Sequence, residues 1–177
     1  MARSELDLNP VQHITADAIG QPGMRVFYLQ GWRETDIQPV TVIIEKVQLQ
    51  TLATGLEQML SEISRQNPSL PEPLAEFDED KMRITPPVDP LFRAGEMGLG
   101  YDADQDRIVI LVREVVQEDG DPEEASVVRF WCNRQQARWL AGWSAQVVNR
   151  GRPICPQCGQ PMEPEGHFCP KKNGHKH

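Results

Sequence analysis

The chain reads as an α+β protein in which two β-β-β-α halves form an antiparallel sheet system with helices packed on it, followed by a small C-terminal zinc knuckle. Three observations predict this. Apolar, β-branched runs bounded by turn residues come in two groups, and each group is followed by a stretch whose apolar residues return every three or four positions. The third is the crowding of Cys155, Cys158 and Cys169 near the end of the chain.

The first half opens with a strand over Val11 to Ala18. Gly20-Gln21-Pro22-Gly23 then supplies a Pro-Gly turn of type II, because Pro presets φ and Gly accepts a positive φ. Arg25 to Trp32 is the returning strand, and Val40 to Ile44, after the polar turn Glu34-Thr35-Asp36, is the third. The period then changes. Leu49, Leu52, Ala53, Leu56, Met59, Leu60 and Ile63 fall on one stripe of an amphipathic helix that ends near Asn67-Pro68.

Residues 67–90 hold six prolines counted from Pro68 to Pro90, together with the acidic run Glu76-Phe77-Asp78-Glu79-Asp80. Proline lacks the amide that ladders and helix interiors need, so this segment is a linker or a long crossing loop. The same order then returns: Phe92 to Tyr101, Ile108 to Val115 and Val127 to Trp131 as strands, and Arg134 to Asn149 as a helix with Asn133 at its N-cap and Gln136 as the capping-box partner. An offset of 87 lays Val40 on Val127, Gln48 on Gln135, Gly55 on Gly142, Leu56 on Trp143 and Leu60 on Val147. The organisation expected is an α+β body over residues 1–150, with halves 11–66 and 91–150 joined by the linker 67–90, and a zinc-binding tail over 151–177.

Charge narrows the class of partner. The net charge is −8, yet Arg152, Lys171, Lys172 and Lys176 against Glu163 and Glu165 leave the tail at +2 and the body at −10. Such a body opposes phosphate backbones and anionic lipid, so nucleic acid is not expected as the principal partner. No apolar run approaches the roughly 20 residues of a spanning helix, and the cysteines form no disulfide framework, so a cytoplasmic, reducing setting is expected.

The tail carries the chemistry. Cys155-Pro156-Gln157-Cys158-Gly159 places two thiolates three residues apart on a turn stiffened by Pro, while Gly159 lets backbone amides approach sulfur. Gly166-His167-Phe168-Cys169-Pro170 offers an imidazole and a third thiolate, with His175 and His177 as spare donors. Soft sulfur with nitrogen selects zinc, with iron as the alternative, and a closed four-coordinate set is the structural kind, one ion per chain. The tail holds few sizeable hydrophobes, so metal binding would supply its folding energy.

Together, Gly20-Gln21-Pro22-Gly23 leading into Phe27-Tyr28-Leu29-Gln30, Glu45-Lys46, Met97-Gly98-Leu99-Gly100-Tyr101, and the tail from Gly151-Arg152-Pro153 through the two cysteine motifs to Asn173-Gly174 resemble a bacterial family of conserved hypothetical proteins, a domain of unknown function. The resemblance implies the ligand set Cys155, Cys158, His167 and Cys169, with His175 as a spare donor. It implies no activity.

Other constellations read as structure. Asp102, Asp104 and Asp106 alternate like a calcium loop, but Arg107 stands where glycine is needed, so a hairpin turn is expected. Ser144 lies in a helical pattern without a nucleophile elbow, Cys132 is a lone body cysteine, and His13 sits on a strand. Trp131, Trp139 and Trp143 are expected between sheet and helix, although Trp139 and Trp143, four apart, could present an aromatic surface to a partner. No catalytic residue is assigned. The function expected is a non-catalytic zinc-binding adaptor or interaction protein with a protein partner. The alternatives are an enzyme whose site lies between the halves and draws on Arg25, Glu45, Asp102 and Arg129, and a weak nucleic-acid binder acting through the tail.

Overall fold

The computed structural model describes residues 3–151, 155–159, 162, 169 and 170. Among these residues seven strands and three α-helices follow in order: β1 Glu5–Leu8, β2 His13–Ile19, β3 Val26–Trp32, β4 Val40–Ile44, α1 Lys46–Gln66, α2 Glu79–Met82, β5 Pro90–Asp102, β6 Arg107–Glu114, β7 Val127–Cys132 and α3 Arg134–Asn149. The strands form one sheet in the order β1-β7-β6-β5-β4-β3-β2. The two β-β-β-α halves are present as β2-β3-β4-α1 and β5-β6-β7-α3. Among the described residues no helix is long and apolar enough to cross a membrane.

The sheet is mixed. All pairing within each half is antiparallel, but the halves join through parallel pairs, β4 with β5 and β1 with β7. An antiparallel system was expected throughout, and the joints depart from it because α1 and the loop behind it carry the chain back to begin β5 alongside β4 in the same direction. A parallel neighbour needs such a crossover.

β1 escapes the sequence reading because Glu5–Leu8 has only four residues and pairs with a strand more than 120 positions away. It closes the fold. Five residue steps separate Leu8 from His13 and reach at most about 18 Å, whereas seven strands laid flat span about 29 Å. The sheet therefore curls until its ends meet. The Val11 amide donates to the Trp131 carbonyl of β7 at 2.8 Å, and the Gln12 amide donates to the Trp32 carbonyl of β3 at 2.8 Å. Gly31 of β3 marks the closeness of the ends, since a β-carbon there would lie 2.9 Å from the Phe130 ring of β7.

The curled sheet encloses a core that includes Leu29, Ile44, Ile108, Ile110 and Phe130, all at most 2% exposed, against Leu49 and Leu56 of α1 and Leu140 and Trp143 of α3. The helices pack on each other, α3 runs along β2, and α1 approaches β5.

The correspondence between the halves is sharper than the sequence suggested, and its offset differs by one residue. An offset of 88 carries the buried Leu49, Leu52, Ala53, Leu56 and Leu60 of α1 onto the buried Ala137, Leu140, Ala141, Ser144 and Val148 of α3. The expected 87 followed a few identities, whereas the helix caps fix the true register. In the leading strands the offset is 83: β1 and β2, interrupted at residues 9–12, correspond to the single strand β5, which bulges between Ala94 and Met97. The pair Asp7–Arg129 then matches the pair Pro90–Thr41.

The Pro-rich segment 67–89 is a crossing loop packed on the body. Gln135 grips Leu74 through its backbone amide at 2.9 Å and its carbonyl at 2.8 Å, and Trp139 Nε1 donates to the Glu76 carbonyl at 2.8 Å. Its acidic run, read as loop, caps the short α2, where Asp78 accepts from the Asp80 amide at 3.0 Å. Gln30 then exchanges two hydrogen bonds with the backbone of Thr85, at 2.8 and 2.9 Å.

Candidate metal centre

The chain leaves α3 through a tight exit. Arg25 donates to the carbonyls of Val147 at 2.9 Å and Val148 at 3.4 Å, capping the C-terminal end of the helix with a cation, and lies 4.8 Å from the Phe27 ring centroid. Gly151 passes directly over that guanidinium: a β-carbon at this position would sit 2.1 Å from Arg25 Nη2. Beside it Arg150 stacks 4.6 Å from the Trp143 ring and pairs with Glu79 at 3.2 Å.

Beyond the exit Cys169 comes together with Cys155 and Cys158. The sulfurs of Cys155, Cys158 and Cys169 all lie within 4.8 Å of one another, with Cys155 and Cys169 buried. Cys155 Sγ and Cys169 Sγ are 3.8 Å apart, and none of these cysteines is in a disulfide. Sulfurs bound to one tetrahedral zinc at about 2.3 Å stand about 3.8 Å apart along the tetrahedron edge. The spacing therefore suits thiolates that share an ion.

The turn favours thiolate. Backbone amides of Cys158 and Gln157 point at the Cys155 sulfur and pull its pKa down to about 6, opposed by burial and aided by the neighbouring thiols. The turn is closed by the Gly159 amide donating to the Cys155 carbonyl at 2.9 Å, with Gly159 at φ +74°, a conformation that a side chain would oppose. Cys169 Sγ also lies 3.6 Å from Gln157 Oε1. This donor set fits a soft or borderline metal ion. His167 and His175, named as ligand and spare donor, lie outside the described residues, as does most of the segment between the two cysteine motifs.

The other named residues do not converge on a second centre. Arg25 caps α3, Glu45 pairs with Arg93 at 2.9 Å, and Arg129 pairs with Asp7 at 3.5 Å. Asp102 accepts the Asp104 amide at 2.9 Å within the β5–β6 hairpin turn that its sequence suggested. Trp143 is completely buried, with Nε1 donating to the Ala16 carbonyl at 2.5 Å, so the partner-facing alternative is corrected for this residue: it fills the space between α3 and β2. Trp139 is half-buried against the crossing loop. Burial pushes the Cys132 thiol up to about 12, which makes it unreactive.

Sequence reasoning missed the clasp around Asp106. This residue, at φ +51°, accepts from Tyr101 Oη at 2.7 Å and from Arg134 Nε at 2.9 Å, and Arg134 also donates to the Pro71 carbonyl at 2.6 Å. Arg134 holds the Asp106 carboxyl below its ordinary range, and the carboxylate in turn raises the Tyr101 phenol. An acidic residue at the end of a hairpin turn, followed by arginine at the start of α3, was the available signal, but only the fold brings them together.

A family model described as "Protein of unknown function (DUF3090)" matches residues 6–169, a span that takes in both halves and all three tail cysteines. No curated protein and no solved structure matches the chain.

Proposed function

Because the chain belongs to the DUF3090 family, whose description assigns no activity, we propose from the site itself that the protein is a non-catalytic zinc-binding adaptor. In this reading Cys155, Cys158 and Cys169 hold one structural zinc ion, His167 completes the tetrahedron, and His175 is spare. The observation that carries the reading is the sulfur cluster, with its 3.8 Å separation of Cys155 and Cys169. Four protein ligands leave no open position for water, so the metal acts as a staple rather than as a Lewis acid.

The partner in this reading is a protein. Zinc with three thiolates reduces the tail from +2 to +1, and the body's −10 repels phosphate, which leaves nucleic acid little to hold. Free thiols and a structural zinc belong in a reducing compartment, which favours the cytoplasm.

Elemental analysis of protein purified without a polyhistidine tag tests the metal. We expect about one zinc per chain for a closed site. Cys158→Ser should lose that zinc, and His167→Ala should weaken binding far more than His175→Ala. Zinc near zero in the native protein would remove the proposal, and the reverse order of the histidine variants would reassign the fourth ligand.

A further inference from the structure

The equivalence of the two halves exposes a place where they differ. α3 of the second half packs on β2 of the first through Trp143, whose Nε1 caps the Ala16 carbonyl. The crossing loop seals this seam. Phe77 packs edge-on against Trp143 with ring centroids 6.1 Å apart, Met82 is 3% exposed, Thr15 Oγ1 bonds the Met82 carbonyl, and the Ile84 amide donates to Asp17 at 3.0 Å.

The equivalent seam lies between α1 and β5. The offsets place Gly55 where α3 has Trp143, and Leu99, Gly98 and Gly100 where β2 has Ala16, Thr15 and Asp17. No loop of the described chain covers it. What remains is a groove of about 370 Å³ lined by Val47, Thr51, Gly55, Met97, Gly98 and Leu99, none of them charged. Its wall is a strand edge. β4 ends at Ile44 and pairs with β5 only as far as Arg93, while β5 runs on to Asp102 with β6 on its other side alone. Gln48 Nε2 occupies the carbonyls of Ala94 at 3.4 Å and Gly95 at 2.8 Å. From Met97 onward, alternate residues of an antiparallel strand turn N–H and C=O away from their partner, and no hydrogen bond reaches these groups from any described residue.

We propose that this groove binds an extended apolar segment of a partner protein, which lies along the free edge of β5 and covers this seam where the crossing loop, through Phe77 and Met82, covers that of α3 and β2. The occupant's chemistry follows from the wall and the floor. Unpaired backbone groups along the edge match a polypeptide backbone, and the uncharged floor suits apolar side chains where the other seam takes Phe77 and Met82. The net charge of −10 on the body favours basic residues flanking that segment. This site is separate from the cysteine cluster and does not depend on the metal.

The test is selection of random linear peptides displayed on phage against the full chain, followed by fluorescence anisotropy with the enriched peptide. Gly55→Trp would give α1 the residue that fills the other seam; a β-carbon there meets only the flexible end of Leu99, at 2.9 Å. Thr51→Arg, at an exposed position, blocks the same groove without touching the core. Each should weaken the peptide at least about tenfold, whereas Ser61→Arg and Cys158→Ser should leave it unchanged. Peptide binding should also slow hydrogen exchange at amides between Met97 and Asp102. Binding indifferent to both groove variants, exchange protection elsewhere, or no enrichment over the Thr51→Arg protein would overturn the proposal. So would a dimer that Gly55→Trp dissolves, which would give the edge to a second copy of the chain. A native protein that binds the peptide but contains no zinc when purified without a tag would refute the metal reading and leave the groove standing.

Discussion

The side-chain amides of Gln48 and Gln136 make matching bonds in the two halves. Each accepts from the N-cap amide of its own helix, Glu45 at 2.7 Å and Asn133 at 2.9 Å, and each donates to two successive carbonyls of the opposite half, Ala94 and Gly95 for Gln48, Val11 and Gln12 for Gln136. One glutamine thus starts a helix and ties it to the strand that opens the other half.

Replacing either glutamine by alanine removes a helix cap and leaves carbonyls at a strand break without their donor, so each variant should lose about 1–2 kcal/mol in urea unfolding. The two caps share no partner, and the double variant should lose close to the sum. Losses of a few tenths would show that backbone geometry alone holds the halves in register.

Trp143 separates packing from hydrogen bonding. Trp143→Phe keeps an aromatic ring near Phe77 and Arg150 but takes the indole donor from the buried Ala16 carbonyl, leaving it only the long 3.4 Å contact from Thr15 Oγ1, at a cost of about 1–3 kcal/mol. Trp143→Ala should cost about 3–5 kcal/mol by adding a large cavity. Both should move the urea midpoint with little change in its slope. A Trp143→Phe protein as stable as the wild type would mean that the bond to Ala16 contributes nothing net.

The Asp106 clasp predicts a pH dependence. Its carboxyl titrates lower when folded than when unfolded, chiefly through the Arg134 hydrogen bond. The stabilisation is therefore fully present above the unfolded value near 3.9 and disappears as pH falls through the lower folded value. Asp106→Asn tolerates the positive φ and removes only the charge. Because the carboxylate side is 40% exposed, the variant's melting temperature should fall by no more than about 3 °C at neutral pH. The difference should close in acid. A gap that stays constant down to acid pH would assign the effect to hydrogen bonding rather than to charge.

Much of this architecture was legible in the sequence because it rests on local rules. The Pro22-Gly23 turn was marked by residues that prefer its dihedrals, and the Met24 amide bonds the Gln21 carbonyl at 2.9 Å as a type II turn requires. The stripe from Leu49 to Ile63 was marked by its period. The parallel joints, β1 and the closure at Val11 rest on contacts between residues far apart in sequence, which no local pattern records. The cysteine cluster was legible because ligand spacing is itself local. The open seam was not, since Gly55 and Trp143 acquire meaning only when the halves are compared in space.

In the proposed site Cys155, Cys158 and Cys169 share one zinc ion with a histidine. X-ray absorption at the zinc edge, on protein purified without a histidine tag, reads that shell of ligands. Three sulfur neighbours at about 2.3 Å and one nitrogen at about 2.0–2.1 Å are expected, with the nitrogen lost in His167→Ala and kept in His175→Ala. Fewer than three sulfurs, or a first shell of oxygen and nitrogen alone, would contradict it.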